Sequence, residues 1–367
     1  MAVILAGSQI RSTWVYSGPL TTLASVTDSS TNDSVPTGTG NNTGQIRLGF
    51  IGAGGIVRRA LAPATHAATG VVLQAAAARD RDRAQALEPA GRSYDDYAAL
   101  LADPEVDLVY VALDNAGHLP WTLAALEAGK HVLVEKPAGL DPEALETMIA
   151  AASDHHRLLV EAFWYRWHPR TRRLEQLIEQ GALGPLQQVE AEFSFSGPED
   201  GDLAEHYRLD PARGGGGLYD VGCYAISAAH LALGPDLSVV TASARRGVTG
   251  VDLEASAELR TTGSATARIR CGIAAPAREV VRVAGEAARV EFSEPAFLTL
   301  HTPVGLSITT PDRAVREEQF APVDAYRLMI ESVAARIRGE ESFLPGHEHS
   351  RQVARTTAAI FAATRTP

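Results

Sequence analysis

The sequence predicts an α/β chain of two domains, an N-terminal doubly wound parallel sheet followed by an α+β domain built on a large, open, mostly antiparallel sheet. Three observations predict it. At 367 residues the chain is longer than one ordinary core organises. Between residues 46 and 137 short apolar runs alternate with helix-like stretches, the pattern of βαβ units wound right-handedly into a parallel sheet. From about Gly184 apolar and polar residues alternate at period two, as in strands with one wet and one buried face.

Residues 1–44 stand apart. They carry only Arg11, Asp28 and Asp33 as charges and end in TDSSTNDSVPTGTGNNTG, which cannot supply a core, so an unstructured extension is expected there. The opening MAVILAG is short and lacks the preceding basic residues of a secretory signal. A first domain is expected over 45–165. In it IRLGFIGAGG (46–55) reads as a strand entering a glycine turn, with a helix over IVRRALAPATHAAT. VVLQAAAA (71–78) is a second strand, followed by a polar helix in RDRDRAQALE. DLVYVAL (107–113) is a third, ahead of a helix over 118–129 that Gly129 is suited to stop. HVLVEKP (131–137) is the fourth. The second domain, 166–367, takes its strands from segments such as PLQQVEAEFSFSG, DLEASAELRT and SATARIRCGI. Amphipathic helices are expected over 323–340 and 349–364.

Composition narrows the function. A formal net charge of -11 speaks against a nucleic-acid partner, which needs clustered Lys and Arg to displace counterions. No apolar run is long enough to span a bilayer. The two cysteines, Cys223 and Cys271, show neither a disulfide framework nor zinc-ligand spacing, and His155, His156, His347 and His349, read as loop residues, lack a third ligand. No metal is expected, the setting reads as cytoplasmic, and a small neutral or cationic substrate fits.

Four groups of residues carry chemistry. Gly52, Gly54, Gly55 and Ile56 follow a strand and precede a helix, the context in which glycines let a dinucleotide pyrophosphate approach the helix N-terminus. This makes the first domain a Rossmann domain; Val57 stands where a third glycine is usual. Arg79, after the second strand, offers a guanidinium fork to a 2′-phosphate, so NADP is favoured over NAD, with Asp80 on the ribose as the alternative. Glu135-Lys136-Pro137 puts an amine at the carboxyl edge of the sheet, where it can polarise a substrate oxygen. Asp220 and Tyr224, four apart on a helix after GGGG, could bind a diol and pass a proton. The four glycines suggest a close backbone approach to something. Leu113 and Asn115 border the cofactor edge, His118 is placed to cap the third-strand helix, and Trp164 and Arg166 lie at the domain junction, as cleft residues or as packing.

Together LGFIGAGGIV, VYVALDNAGH, AALEAGKHVLVEKP, EAFWYRWHP and RLDPARGGGGLYDVGCY resemble the Gfo/Idh/MocA oxidoreductases, from about Ile46 to the C-terminus. The resemblance is nearest the branch of xylose dehydrogenases, glucose-fructose oxidoreductase and dihydrodiol dehydrogenase. It implies that Lys136 lies beside nicotinamide and substrate, that Tyr224 is the acid/base and that Asp220 fixes geometry. It implies hydride transfer between NAD(P) and a hydroxyl, hemiacetal or carbonyl carbon of a sugar, polyol or diol, in a homodimer or larger assembly. Other outcomes in such a family are a dinucleotide-binding regulator without turnover and an NAD-dependent glycosidase. Ala78, where that branch usually has a hydroxyl residue, Val57 and Asp114 depart from the pattern.

Overall fold

The computed structural model describes residues 11–15, 44–198, 206–300 and 302–364. β1 (Arg11–Val15) pairs in parallel with the last strand of the second sheet, Arg11 opposite Val315. The expected unstructured extension is therefore ordered backbone over these five residues. RSTWV has the β-branched and aromatic character that suits a strand, and an open sheet edge supplies the hydrogen-bond partners. The rest of that expectation, residues 1–10 and 16–43, lies outside the described residues.

The first domain is a six-stranded parallel sheet of β2 (Ile46–Ile51), β3 (Val71–Ala77), β4 (Arg92–Tyr94), β5 (Leu108–Val111), β6 (His131–Val134) and β7 (Leu159–Glu161), in the order β4-β3-β2-β5-β6-β7. The order reverses between β2 and β5, and ligands of such sheets bind beyond the carboxyl ends of the strands at that switch point. β5 and β6 are buried at every position, which is why they read as unbroken apolar runs. The two strands not expected from the sequence, β4 and β7, have three residues each and are too short to show a period.

The second sheet comprises β8 (Leu186–Ser196), β9 (Leu237–Arg246), β10 (Asp252–Thr261), β11 (Thr266–Gly272), β12 (Ala274–Gly285), β13 (Arg289–Phe292), β14 (Val304–Thr309) and β15 (Val315–Phe320). Their order is β1-β15-β14-β13-β12-β8-β11-β10-β9. Pairing is antiparallel except at β8–β11 and β1–β15. Along β11, Ala267, Ile269 and Cys271 point inward while Arg268 and Arg270 stay exposed. The helix Cys223–Leu233 packs on β8 and the helix His347–Ala363 on β9. One apolar core runs from Leu48 and Phe50 through Phe163 and Trp164 to Val189, Phe193 and Ile330. The domain junction is thus solid packing. Among the described residues no helix is long and apolar enough to cross a membrane.

Candidate active site

At the carboxyl end of β2, Gly52 has φ +105°, and a β-carbon there would lie 2.3 Å from the Ala112 carbonyl oxygen, so glycine closes this turn. Gly54 differs, because a β-carbon there would meet no atom within 4 Å. That bare backbone at the switch point is what a pyrophosphate needs for close approach. Gly55 has the Arg59 guanidinium against it, and Ile56 is exposed beside the turn. Val57 is fully buried and opens a π-helical turn, Val57–Leu61, so the missing third glycine is replaced by a core contact.

The end of β3 is where Rossmann sheets meet the nucleotide ribose. Arg79 is exposed there. Arg83, from the next helix, Arg81–Gln85, donates from Nη2 to the Ala53 carbonyl at 3.0 Å and so borders the glycine turn. Asp80, the alternative ribose ligand, caps its own helix by accepting from the Asp82 N–H at 2.9 Å. Two guanidinium groups beside a carboxylate engaged elsewhere favour a 2′-phosphate over a bare ribose diol.

After β6, Lys136 Nζ donates to the Asp220 carbonyl at 2.6 Å, lies 3.9 Å from Asp220 Oδ1 and sits 5.0 Å from the Tyr224 ring centroid. Burial works to lower the ammonium's pKa. Cys223, Asp220 and Glu135 together outweigh it and raise that pKa, so Lys136 keeps its proton. Tyr224 OH accepts from Trp164 Nε1 at 2.8 Å, and burial pushes the phenol well above its ordinary range, leaving it neutral. Asp220 belongs to a second π-helical turn, Leu218–Gly222, and its Oδ2 accepts from Arg208 Nε at 2.5 Å. π-turns are frequent at functional sites, and here one follows the glycine turn after β2 and the other carries Asp220.

Other expected residues support these groups. Glu135 Oε1 accepts from the buried Tyr110 hydroxyl at 2.8 Å. Asn115 Nδ2 donates to the Gly214 carbonyl at 2.8 Å, and Arg213 pairs with Asp114 at 2.8 Å, so the loop before Asp220 is tied to the turn after β5. The Tyr207 ring lies between, 4.8 Å from the Arg208 guanidinium and 5.5 Å from that of Arg213. Leu113 packs beside Gly52.

Two expectations, on His118 and on the histidines at 347 and 349, are corrected. His118 does not cap a helix: the helix is Asn115–Glu127 and its cap is Asp114, which accepts from the Gly117 N–H at 3.2 Å. Buried, with its pKa lowered to about 4 mainly by desolvation, His118 is neutral and bonds the Pro137 carbonyl at 2.8 Å, bracing the Lys136 loop. Arg166 Nη2 donates to Glu175 at 2.6 Å and its guanidinium faces Phe343, while its Nε and Nη1 are buried without a hydrogen-bond partner. The histidines at 347 and 349 are helical, and His349 Nε2 lies 2.7 Å from Ser227 Oγ. Among the described residues no group of three or more His, Cys, Asp or Glu could hold a metal ion.

Residues 46–163 match the family model described as "Oxidoreductase family, NAD-binding Rossmann fold", and residues 171–291 match "GFO/IDH/MocA C-terminal domain". The chain belongs to the GFO/IDH/MocA oxidoreductase family. It is 36% identical over 325 residues to the D-xylose 1-dehydrogenase (NADP(+)) 2 of Haloferax volcanii, covering 87% of this chain and 97% of that one. The crystal structure of a 3-ketoreductase from Actinomadura kijaniata in complex with NADP and TDP-benzene superposes with a TM-score of 0.79 at 31% identity, covering 88% of this chain and 98% of that chain. An aldose-aldose oxidoreductase from Caulobacter crescentus complexed with glycerol superposes with a TM-score of 0.77 at 25% identity over the same shares. The chain is thus an NAD(P)-dependent oxidoreductase.

In this GFO/IDH/MocA enzyme, sequence reasoning missed Arg83, Tyr207 and Arg208. Arg83 lies four residues after Arg79, but Asp80 is extended and the helix starts at Arg81, so no helical spacing pairs the two. Arg208 stands twelve residues before Asp220, in a segment with no regular period. Its role comes from the fold alone.

Proposed function

We propose that the chain catalyses reversible hydride transfer between NADP(H) and a secondary alcohol, hemiacetal or ketone carbon of a sugar or related polyol, as a cytoplasmic homo-oligomer. The observation that carries the reading is the Lys136 ammonium held between the Asp220 carbonyl and the Tyr224 ring at the carboxyl edge of the Rossmann sheet. Gly54, Arg59, Arg79 and Arg83 would hold the dinucleotide, whose nicotinamide supplies or accepts the hydride. The names of relatives that act on xylose or aldoses, and a relative crystallised with a TDP compound, support the substrate class.

The charge states suit carbonyl reduction. As the substrate oxygen gains negative charge, protonated Lys136 stabilises it and the Tyr224 phenol delivers a proton. The Trp164 N–H on the phenol oxygen stabilises the phenolate character that develops. In alcohol oxidation the same proton returns to Tyr224. Arg208 on Asp220 Oδ2 leaves Oδ1 to orient a substrate hydroxyl.

Lys136→Met tests this, since methionine keeps the length and removes the charge. Turnover on the preferred sugar should fall about a thousandfold, with NADP affinity within about twofold of wild type. Wild-type turnover in that variant removes the role.

A further inference from the structure

We propose that Asp252 is a positioning residue of this active site: a carboxylate from the second sheet that caps the helical turn carrying Asp220 and thereby fixes where Lys136 is held. The proposal rests on the function given above. Asp252 opens β10 and is 1% exposed. Its Oδ2 accepts from the Leu218 N–H at 2.7 Å. Leu218 is the first residue of the π-helical turn, and the residue before it, Gly217, has no side chain to cap it. The cap that a Ser or Asp usually supplies from its own chain here comes from another element.

The glycine run is the counterpart of this carboxylate. Gly216 has φ +117°, and a β-carbon there would lie 2.3 Å from Asp252 Oδ1; one at Gly217 would lie 3.3 Å from Oδ2. The close approach that those glycines permit is to Asp252, inside the protein. Two residues past Leu218, the Asp220 carbonyl accepts from Lys136 Nζ. A shift of Leu218 therefore moves the acceptor that holds the ammonium. The path from Asp252 to Lys136 runs through one backbone turn.

The groups that bear on the Asp252 carboxyl are Arg246 on β9, Cys271 on β11 and the amides of Leu218, Gly217 and Asp252 itself, while Glu254 on the same strand pairs with Arg245. Burial dominates and raises its pKa to about 6 against those amides and Arg246. Below that pH the carboxyl takes up a proton, and its charge-assisted bonds to the start of the helix weaken. Turnover should therefore fall as pH drops through about 6.

Turnover, KM and NADP binding of Asp252→Asn and Asp252→Ala, measured from about pH 5 to about pH 8.5, test the proposal. Alanine removes the acceptor, so kcat should fall about tenfold while NADP affinity, set on the other domain, is unchanged. Asparagine keeps an oxygen acceptor but does not titrate, so kcat near pH 8 should stay within about threefold of wild type and the acid limb near pH 6 should flatten. A folded alanine variant with wild-type kcat, or an asparagine variant that keeps the acid limb, overturns it. If alanine does not fold, the acid limb of the asparagine variant decides alone. Loss of activity in Lys136→Met beside wild-type behaviour of both Asp252 variants would sink only the cap. Full activity in Lys136→Met would sink the function on which it rests.

Discussion

Two glycine-rich turns contribute to the site, and Gly54 of the first and Gly214 to Gly217 of the second use glycine for opposite purposes. At Gly54 a β-carbon would enter open space. At Gly214 to Gly217 every β-carbon would meet the protein itself: Leu140 and Asn115 at Gly214, the Arg208 carbonyl at Gly215, Asp252 at Gly216 and Gly217. The first turn leaves room for a ligand, while the second is filled by its own chain to hold Asp220 in place. A glycine cluster thus marks a close approach without saying to what, and only the surrounding atoms distinguish the two cases.

The largest expected effect lies on the filled side. Gly216→Ala must place an L-residue at φ +117° and drive its methyl to 2.3 Å from a carboxylate that is already bonded. It should cost about 3 kcal/mol or more of stability, read as a lower denaturant midpoint at unchanged m-value. A Gly216→Ala protein as stable as wild type would mean that the second turn is not filled as described. Gly54→Ala should do the reverse, because its methyl meets nothing in the protein. Unfolding should shift by no more than about 0.5 kcal/mol. NADP binding should weaken about thirtyfold, roughly 2 kcal/mol, since the methyl stands between backbone and pyrophosphate. Loss of stability with intact NADP binding would break the comparison.

How much of this was legible in the sequence follows the same division. β5 and β6 were visible because strands buried at every position leave near-continuous apolar runs, and β2 and β3 because their apolar stretches are broken only by Arg47 and Gln74. Lys136 and Tyr224 were visible because one ends such a run and the other sits a helical turn beyond Asp220. Asp252 was not, since a polar residue at the start of a period-two strand looks like one more residue on the wet face, and its partner Leu218 is 34 residues away. Arg166 was ambiguous for a related reason. Its neighbour Trp164 does reach Tyr224, but successive residues of a tight 3₁₀ turn point in different directions, and Arg166 points to Glu175.

The smallest expected effect sharpens the open side. Arg83 donates to the Ala53 carbonyl, which would make it a brace for the glycine turn, yet it also stands with Arg79 at the end of β3, which would make it a phosphate ligand. The two roles separate on the choice of nucleotide. As a 2′-phosphate ligand, Arg83→Ala should weaken NADP about tenfold, near 1.4 kcal/mol, and leave NAD within about twofold. As a brace alone, it should weaken both equally, because the pyrophosphate that the turn receives is common to them. The preference for the first outcome comes from Asp80. Its carboxylate uses one oxygen to cap its own helix, which leaves Arg79 and Arg83 as the groups best suited to meet a 2′-phosphate at the end of β3.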